Sequence, residues 1–314
     1  MTQKLAFVFP GQGSQSVGML NGFADNAIVQ QLISQASQAL GQDLGQLIQD
    51  GPVEALALTE NTQPVMLLAG VAIYRAWLEA GGQVPEFMAG HSLGEYTSLV
   101  CANSLDFLQA VPLVRFRAQA MQEAVPVGSG GMAAIIGLGD DVIIKLCQEV
   151  SQETGFVVEP VNFNAPNQVV VAGHIQAIDR IIEIAKPSGA KLATKLNVSA
   201  PFHSSLLLPA AAKLEKHLAD VQLHQPSVQV INNVDVLIES DPLKMKDALI
   251  RQSYSPVRWV ETVEKMADLG VTHIVECGPG RVLAGLVKRI TPQIKILGIS
   301  DLQTIQAVLS ELKN

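Results

Sequence analysis

The sequence predicts an α/β protein that combines a largely parallel sheet and its helices with a smaller inserted unit. Short apolar runs rich in β-forming residues alternate with helix-length segments, which is the pattern of a parallel sheet connected by helices. The middle third follows a different order of strand, helix, strand, strand, helix and strand, which is typical of a ferredoxin-like unit. Of the 314 residues, 48% are apolar and 16% are charged, so we expect a packed interior and little disorder.

The first predicted elements are a strand of the parallel sheet and a helix. Residues 5–9 form an apolar run that stops at a Pro-Gly pair, and this run predicts a buried strand. Residues 62–80 start with a capping residue and Pro64, carry apolar side chains at helical spacing and stop at a Gly-Gly pair. These signals predict a helix that begins at Thr62.

A predicted strand at residues 87–89 is followed by a Gly-His-Ser-Leu-Gly turn at 90–94 and by a helix that runs to about residue 102. This arrangement matches the nucleophile elbow, in which small residues flank a serine exposed by a strained turn. Gly and Ser also meet often in ordinary loops, but the strand before the turn and the helix after it favour the elbow. We therefore predict that Ser92 is a nucleophile, placed where the N–H groups of a helix start face developing negative charge.

The middle third predicts the inserted unit. Its predicted strands are residues 132–138, 156–163, 169–172 and 190–197, and its predicted helices are residues 141–153 and 175–188. Hinge-like residues flank the unit, Gly-Ser-Gly-Gly on one side and Ser-Ala-Pro on the other. We expect a small ferredoxin-like subdomain at 128–199 and a large catalytic subdomain formed by 1–127 and 200–314. A strand at 274–276 and a helix opened by Gly-Pro-Gly complete the large subdomain.

Composition and charge exclude several classes of protein. A net charge of −8 argues against a nucleic-acid surface, which would need clustered Lys and Arg. The run at 5–9 is too short for the core of a signal peptide, and the longest apolar stretch, 65–73, is well short of the roughly 20 residues that span a bilayer. The three cysteines form no CxxC pair, and no His, Cys, Asp and Glu cluster has metal-ligand spacing. We expect a cytoplasmic protein with reduced, buried thiols and no metal.

A serine hydroxyl needs a base within hydrogen-bond reach, usually a histidine, and the sequence has six. His203 differs from the others because it lies in a Ser-Ala-Pro-Phe-His-Ser loop where the chain re-enters the large subdomain. We expect His91 to point away from the adjacent serine. The remaining histidines precede or follow strands or lie in polar surroundings: His174, His217, His224 and His273. A loop histidine is more often a surface residue than a base, so the residues alone leave this assignment open.

Separated motifs along the whole chain resemble one family of enzymes. The motifs are Phe-Pro-Gly-Gln-Gly-Ser-Gln at 9–15, Gly-His-Ser-Leu-Gly-Glu at 90–95, the 199–204 loop, Val-Ile-Asn-Asn-Val-Asp at 230–235 and Gly-Pro-Gly at 278–280. Together they resemble the malonyl-CoA:acyl-carrier-protein transacylase family of bacterial fatty acid synthesis. Acyltransferase domains of polyketide synthases share this order, but a free-standing chain of this length is similar to the discrete bacterial enzyme. The resemblance implies an α/β-hydrolase-like large subdomain and a ferredoxin-like small one.

The resemblance also implies roles for particular residues. Ser92 would be the acylated nucleophile and His203 the base, with the imidazole oriented by the main-chain carbonyl of Gln252 in place of a carboxylate. The backbone N–H groups of Gln12 and Leu93 would form the oxyanion hole. The elbow geometry predicts Leu93 independently, because the residue after the nucleophile donates to the oxyanion.

Arg117 lies on the apolar stripe of a helix predicted to end near residue 124. A buried charge needs an anionic partner, and one candidate is a structural salt bridge with Glu95 or Glu123. The resemblance instead implies that Arg117 binds the free carboxylate of a malonyl group, a task suited to the two parallel donors of a guanidinium. We expect Arg115, two residues earlier, to be a solvated surface charge.

Three further positions have weaker signals. Gln63 matches a family position near the serine, but a helix-capping segment explains it equally well. Phe202 directly precedes His203, and in the family this position accompanies the choice between malonyl and its α-methyl analogue. Asn232 and Asn233 are equally explained as turn residues.

The function implied by the resemblance is ping-pong transfer of malonyl from malonyl-CoA to the phosphopantetheine thiol of acyl carrier protein, without a cofactor. A serine esterase or thioesterase is an alternative, but its histidine usually lies close to the C-terminus, whereas this chain continues from His203 to residue 314. A polyketide-type acyltransferase with another acyl preference and a non-catalytic docking module are further alternatives. Candidates for a basic patch that meets an acidic carrier, each also explained as a solvated charge, are Lys186, Lys191, Lys195, Lys288 and Arg289.

Overall fold

The computed structural model describes residues 3–198 and 200–313. Within these residues the strands are β1 (Leu5–Phe9), β2 (Phe87–Gly90), β3 (Gly130–Ile136), β4 (Val158–Ala165), β5 (Gln168–His174), β6 (Leu192–Lys195), β7 (Gln229–Ile231), β8 (His273–Cys277) and β9 (Lys295–Ile299). The helices are α1 (Ala27–Leu40), α2 (Leu44–Asp50), α3 (Val53–Ala57), α4 (Thr59–Glu79), α5 (Leu93–Cys101), α6 (Phe107–Glu123), α7 (Asp140–Thr154), α8 (Ile175–Ala185), α9 (Leu208–Ala219), α10 (Pro242–Gln252), α11 (Trp259–Asp268), α12 (Val282–Ile290) and α13 (Leu302–Leu312). Short 3-10 helices lie at Asn21–Phe23 and Ser205–Leu207.

A parallel sheet with the strand order β7-β2-β1-β8-β9 forms the centre of the large subdomain. The predicted first strand, Leu5–Phe9, is confirmed and lies in the middle of this sheet. Phe9 is opposite Gly90, and Val8 is opposite Glu276, so the carboxyl ends of β1, β2 and β8 meet at one edge. Ligands of open α/β sheets bind outside this edge.

Both faces of the parallel sheet are buried. Successive side chains of β1 point to opposite faces of the sheet, and both sets are packed against other residues. Phe7 and Phe9 face the core on one side, where the ring centroids of Phe7 and Trp77 of α4 are 5.4 Å apart. Ala6 and Val8 face a second core on the opposite side. The sheet is therefore held rigidly between two layers of helices, and the loops at its carboxyl edge start from fixed positions.

A four-stranded antiparallel sheet with the order β4-β5-β3-β6 carries α7 and α8 and forms the small subdomain. This is the strand order of a ferredoxin-like unit, so the predicted fold class is confirmed. Its helices pack on the sheet through a core of its own that includes Ile143 and Ile178. The bounds 128–199 stay a prediction, and Ser199 lies outside the described residues, as do Met1, Thr2 and Asn314 of the predicted large subdomain.

Strand β4 is the edge of the small sheet, and the large subdomain covers part of that edge. The N–H of Val257 donates to the carbonyl oxygen of Val161 at 2.8 Å, and the N–H of Phe163 donates to the carbonyl oxygen of Val257 at 3.0 Å. Exposed edge groups of a strand would otherwise need water or another strand. The two subdomains are thus joined by backbone hydrogen bonds as well as by the connecting chain.

Helix α4 begins one turn before the predicted position, at Thr59, so the prediction that Thr62 starts it is wrong. The carbonyl oxygen of Leu58 accepts the N–H of Thr62 at 2.7 Å, which places Thr62 within the first turn. The Thr62 hydroxyl bonds to the carbonyl oxygen of Leu56 at 2.7 Å and does not cap the helix. Pro64 consequently lies inside the helix, whereas proline usually occupies the first turn.

Two expectations from composition can be compared with the structure. No helix in residues 3–198 and 200–313 is long and apolar enough to cross a membrane. Cys101, Cys147 and Cys277 are free and buried, which confirms the expectation of buried reduced thiols.

Candidate active site

Ser92 lies on a sharp turn between β2 and α5, at the carboxyl edge of the parallel sheet. Its backbone has φ 52° and ψ −109°, a left-handed conformation that is strained for a residue with a side chain. The flanking glycines are required by close packing. A Cβ on Gly90 would lie 1.7 Å from the carbonyl carbon of Gly94, and a Cβ on Gly94 would lie 2.1 Å from the carbonyl oxygen of Phe9. The turn therefore has the geometry of a nucleophile elbow.

His203 lies directly against the serine hydroxyl. Its Nε2 is 2.7 Å from Ser92 Oγ, and its Nδ1 is 2.8 Å from the main-chain carbonyl oxygen of Gln252. A carbonyl oxygen only accepts, so Nδ1 carries the proton in the neutral ring and Nε2 is free to accept the serine proton. The structure thus brings together the three residues that sequence reasoning placed in this relay.

Burial of the imidazole and the nearby charge of Arg117 lower the pKa of His203 to about 3. Only 4% of the residue is exposed. Desolvation disfavours the imidazolium, so the ring stays neutral across the physiological pH range. A neutral imidazole is the form that can take a proton from Ser92.

Arg117 is 2% exposed and reaches the same serine from α6. Its Nη1 donates to Gln63 Oε1 at 2.7 Å, and its Nη2 donates to Gln252 Oε1 at 2.9 Å and to Ser92 Oγ at 3.2 Å. The guanidinium also lies 5.3 Å from the ring centroid of Tyr96. All of these partners are neutral.

The alternative explanation of Arg117 as half of a structural salt bridge is wrong. No carboxylate among the described residues forms an ion pair with it, and Glu123 instead pairs with Lys213 at 2.6 Å. Glu95 accepts from Gln252 and Asn233 and does not contact the guanidinium. A buried cation whose direct hydrogen-bond partners are all neutral is costly, so the guanidinium can accept an anion in contact with it.

Gln12 and Leu93 line the same cavity as Ser92. Gly11 allows the loop after β1 to approach the elbow, because a Cβ there would lie 2.6 Å from the carbonyl oxygen of His91. Within the described chain, neither the backbone N–H of Gln12 nor that of Leu93 donates a hydrogen bond. Two free donors beside a nucleophile are suited to stabilising an oxyanion.

A cavity of about 120 Å³ opens over Ser92. Its polar lining consists of Gln12, Gln63, His91, Ser92, Arg117, Asn162 and His203, and its apolar lining consists of Leu93, Met121, Met132, Leu196, Val198 and Phe202. Met132 and Asn162 belong to strands of the small subdomain, so the cavity lies between the two subdomains. Phe202 lies in its wall, next to His203.

Sequence reasoning missed a network beneath the serine. Asn233 accepts the N–H of Ser92 at 2.8 Å through Oδ1 and donates to the carbonyl oxygen of Gly90 at 2.7 Å through Nδ2. Glu95 Oε2 accepts the N–H of Asn233 at 2.9 Å and Gln252 Nε2 at 2.8 Å. Both residues belong to the motifs that carried the family resemblance, but Asn233 was explained as a turn residue and Glu95 as a candidate salt-bridge partner of Arg117.

Burial raises the pKa of Glu95 to about 7, although the hydrogen bonds from Asn233 and Gln252 and the charge of Arg117 act in the opposite direction. The side-chain amide of Gln252 is therefore held between an acceptor on one side and a cation on the other. This fixes its orientation, with Nε2 toward Glu95 and Oε1 toward Arg117. Gln252 thus contacts the base through its backbone and the cation through its side chain.

Other residues differ from their predicted surroundings. His91 points away from the serine as expected, and its Nε2 lies 2.8 Å from Asn164 Oδ1 of the small subdomain. Arg115 was predicted to be solvated, but it is half-buried and donates hydrogen bonds to Gln42 and Asn61, so that prediction is wrong. The reason is that the N-terminal end of α4 packs beside α6 at this point. His217 stacks on Phe116 with ring centroids 4.1 Å apart, so its surroundings are less polar than predicted.

No group of three or more His, Cys, Asp and Glu side chains that could hold a metal ion occurs in the part of the chain that the structure describes.

The known proteins that this chain is similar to are acyltransferases. A family model described as an acyl transferase domain matches residues 6–305. The malonyl CoA-acyl carrier protein transacylase of Salmonella typhimurium is 51% identical over 312 residues, which cover 99% of this chain and 100% of that protein.

Solved structures of malonyl-transferring enzymes are also similar to this chain over almost its whole length. An acyl-carrier-protein S-malonyltransferase from Burkholderia pseudomallei is 59% identical, with a TM-score of 0.96, and the match covers 98% of this chain and 100% of that one. A malonyl-transacylase solved in complex with a type II polyketide synthase acyl carrier protein is 48% identical, also with a TM-score of 0.96 over 98% of this chain and 100% of its own.

Proposed function

The chain belongs to the acyl transferase family, and from this premise we propose that it transfers malonyl from malonyl-CoA to the phosphopantetheine thiol of acyl carrier protein. It thereby supplies the extender unit for fatty acid synthesis, as a cytoplasmic enzyme that needs no cofactor. The observation that carries the choice of acyl group is the position of Arg117, a buried cation without an anionic partner, 3.2 Å from the serine hydroxyl.

The first half of the reaction acylates Ser92. His203 Nε2 takes the hydroxyl proton, and Oγ attacks the thioester carbonyl carbon. The N–H groups of Gln12 and Leu93 donate to the oxyanion. As the intermediate collapses, the C–S bond breaks, His203 returns its proton to the sulfur, and coenzyme A leaves. The product is a malonyl ester of Ser92.

The second half reverses these roles. The pantetheine thiol of the carrier gives its proton to His203 and attacks the ester carbonyl in the same oxyanion hole. The C–O bond to Ser92 breaks, and the serine recovers the proton from His203. The carbonyl of Gln252 keeps Nδ1 protonated throughout, so each proton passes through Nε2.

Arg117 selects the acyl group in this proposal. Its two terminal nitrogens can donate in parallel to the malonyl carboxylate, while Gln63 and Gln252 hold the guanidinium in place. Phe202 limits the space beside the acyl chain. Pairing of the carboxylate with Arg117 also directs the ester away from water during the interval between the two steps.

The proposed division of the chain is a catalytic subdomain of 1–127 and 200–314 with the insertion 128–199. The lining of the cavity supports it, because Met132 and Asn162 of the small sheet face Ser92 and Arg117 of the proposed catalytic subdomain across it. The carrier would approach this opening, and the exposed cations Lys186, Lys191, Lys288 and Arg289 are candidates for contact with its acidic surface. Lys195 is already paired with Asp179 at 2.5 Å.

Incubation with malonyl-CoA followed by intact-mass measurement tests the proposal. We expect a stable adduct with the mass of one malonyl group and its discharge on addition of acyl carrier protein with its phosphopantetheine arm. Rapid release of free malonate would indicate an esterase, and an unchanged mass would indicate a non-catalytic protein.

The matching variant is Ser92→Ala. It removes one hydroxyl oxygen from a half-buried residue and alters little packing, so we expect a folded protein that forms no adduct. A malonyl adduct that persisted on Ser92→Ala would contradict the assignment of the nucleophile.

A further inference from the structure

Strand β4 of the small subdomain contacts the large subdomain on both sides of the catalytic pair. One contact is made with the residue directly before Ser92, and the other is made with the chain just after His203. Between them lies the backbone pairing of Val161 and Phe163 with Val257. One strand is therefore attached to both loops that present the reacting groups.

The contact on the histidine side is made by Glu159. Its Oε2 accepts the N–H of Ser205 at 2.7 Å, and its Oε1 accepts the hydroxyl of Ser205 at 2.8 Å. Ser205 begins the 3-10 helix that follows His203. His203 itself has φ 64°, a left-handed conformation that a non-glycine residue keeps only when its surroundings hold it there. The carboxylate holds the chain two residues beyond this strained position.

The contact on the serine side is made by Asn164. Its Oδ1 accepts a hydrogen bond from His91 Nε2 at 2.8 Å. His91 directly precedes Ser92, and its ring also packs near Trp259, with centroids 5.6 Å apart. The hydrogen bond therefore fixes the residue that leads into the elbow.

The irregular geometry of β4 explains how both side chains reach the large subdomain. In a regular strand, side chains five residues apart point to opposite faces. The pairing of β4 with β5 shifts register between Pro160 and Asn162 and again between Phe163 and Ala165, which leaves Val161 and Asn164 as extra residues. Such bulges change the direction of side chains and are frequent beside active sites.

We infer that β4 is a positioning element, in which Glu159 and Asn164 together set the contact between Ser92 Oγ and His203 Nε2. The small subdomain then contributes alignment of the reacting groups as well as a wall of the cavity. This inference rests on the proposed acyl transfer. A misalignment of about 1 Å can slow a positioned reaction by about 100-fold, so the alignment is worth measuring.

The experiment is a double-mutant cycle with His203→Ala, read as the single-turnover rate of Ser92 acylation by malonyl-CoA. We expect Glu159→Met and Asn164→Leu each to slow acylation by about 10- to 100-fold when His203 is present. In the His203→Ala background we expect a further loss of less than about two-fold, because there is no base left to align.

Two more variants make the comparison specific. Glu159→Gln can still accept the N–H of Ser205 and can donate to its hydroxyl, so we expect acylation within a few-fold of the wild-type rate. Glu153→Met is the matched control, because Glu153 is an exposed carboxylate of α7 in the same subdomain that pairs with Arg180. We expect it to acylate at the wild-type rate.

The outcomes are distinguishable. Equal losses with and without His203, or no loss in either background, would overturn the inference. A wild-type protein that forms no malonyl adduct would instead contradict the proposed function. Thermal unfolding shows whether each variant is folded. If Glu159→Met does not fold, Ser205→Ala removes one of the two hydrogen bonds, and its smaller loss should again require His203.

Discussion

The proposed preference for malonyl depends on a single residue, Arg117. Its partners Gln63, Gln252 and Ser92 are neutral, so the free site holds a desolvated charge that an acyl carboxylate would neutralise. A neutral acyl group would leave the guanidinium unpaired and would be discriminated against. In the proposed mechanism, the charge of Arg117 contributes more to the choice of acyl group than the shape of the cavity does.

Replacement of Arg117 by alanine should change the preferred acyl group. We expect kcat/KM for malonyl-CoA to fall by about 10²-fold or more, because a charged bidentate contact is lost. Acetyl transfer should hold steady or rise, since the penalty on a neutral group disappears. Measurement of kcat/KM for both thioesters on wild type and Arg117→Ala provides the comparison.

Arg115→Ala is the control for this variant. Arg115 is also partly buried, but it contacts Gln42 and Asn61 and does not reach the serine. We expect it to leave the ratio of malonyl to acetyl transfer unchanged. An equal fall for both thioesters in Arg117→Ala would show that Arg117 only supports the structure.

The low pKa of His203 predicts an unusual pH dependence. An ordinary histidine has a pKa near 6.5, and activity that required its neutral form would fall as the pH dropped through that value. Burial and Arg117 lower the pKa of His203 to about 3, so the ring stays neutral as the pH decreases from 8 to 5. We expect the single-turnover rate of acylation by malonyl-CoA to stay flat over this range.

If the rate of acylation does change between pH 8 and pH 5, Glu95 is the first group to test as the cause. Its pKa is raised to about 7, so it changes charge within the same range. A loss of rate near pH 7 that disappeared in Glu95→Gln would come from Glu95. A loss centred near 6.5 that persisted in Glu95→Gln would contradict the expected behaviour of His203.

The residues of the site that sequence could predict are those with a local signal. Ser92 and Leu93 follow from the elbow motif alone, whereas His203, Gln252 and Arg117 needed the family resemblance. The residues that support them were missed because their partners are distant in sequence. Asn233 and Ser92 are 141 positions apart, and Gln252 and Glu95 are 157 positions apart.

At the scale of helices and strands, the predictions were best where an apolar run met a clear stop signal. Strand β1 was predicted at its observed bounds, and the order of strands and helices in the small subdomain is the observed one. Helix α4 was predicted to start too late, since Pro64 was assigned to the first turn. Local backbone hydrogen bonds define that boundary, because the carbonyl oxygen of Leu58 accepts the N–H groups of Asn61 and Thr62.

The junction of β2 and α5 should tolerate no side chain at Gly94. A methyl group there would lie 2.1 Å from the carbonyl oxygen of Phe9, so the elbow would have to shift. We expect Gly94→Ala to lower the free energy of unfolding by about 1–3 kcal/mol and to abolish formation of the malonyl adduct. Chemical denaturation and intact-mass measurement provide the two readouts.

Gly285→Ala is the matched substitution in another helix. Gly285 lies inside α12, and no atom within 4 Å would meet an added Cβ. We expect this variant to be more stable by about 0.5–1 kcal/mol and fully active, because alanine favours the helix. A similar loss in both variants would mean that the close contact at Gly94 is not the cause.

For the molecule as a whole, the hydrophobic cores divide between the subdomains. The small subdomain has a core of its own, distinct from the two cores on either side of the parallel sheet. Smaller cores bury less apolar surface, so the small subdomain should open at lower denaturant concentration. The reactivity of the cysteines can distinguish the opening of the two subdomains, because Cys147 lies in the core of the small subdomain and Cys277 lies in a core of the large one.

Thiol labelling should detect the order of opening. Burial raises the pKa values of Cys101, Cys147 and Cys277, so we expect no reaction with a thiol reagent at pH 8 in the native protein. With increasing denaturant, Cys147 should react before the other two. The first phase should be missing in Cys147→Ala, and simultaneous reaction of all three thiols would show that the subdomains unfold as one unit.

Ser92 and His203 both have left-handed backbones, with φ values of 52° and 64°. Each such conformation costs on the order of 1–3 kcal/mol in a residue with a side chain, and glycine would relieve most of it. Selection for heat resistance would therefore favour glycine at the proposed nucleophile, whereas the buried imidazole of His203 also contributes packing and a hydrogen bond to Gln252. A lineage released from the need to make its product would be expected to lose the Ser92 side chain early, and to gain stability as it did so.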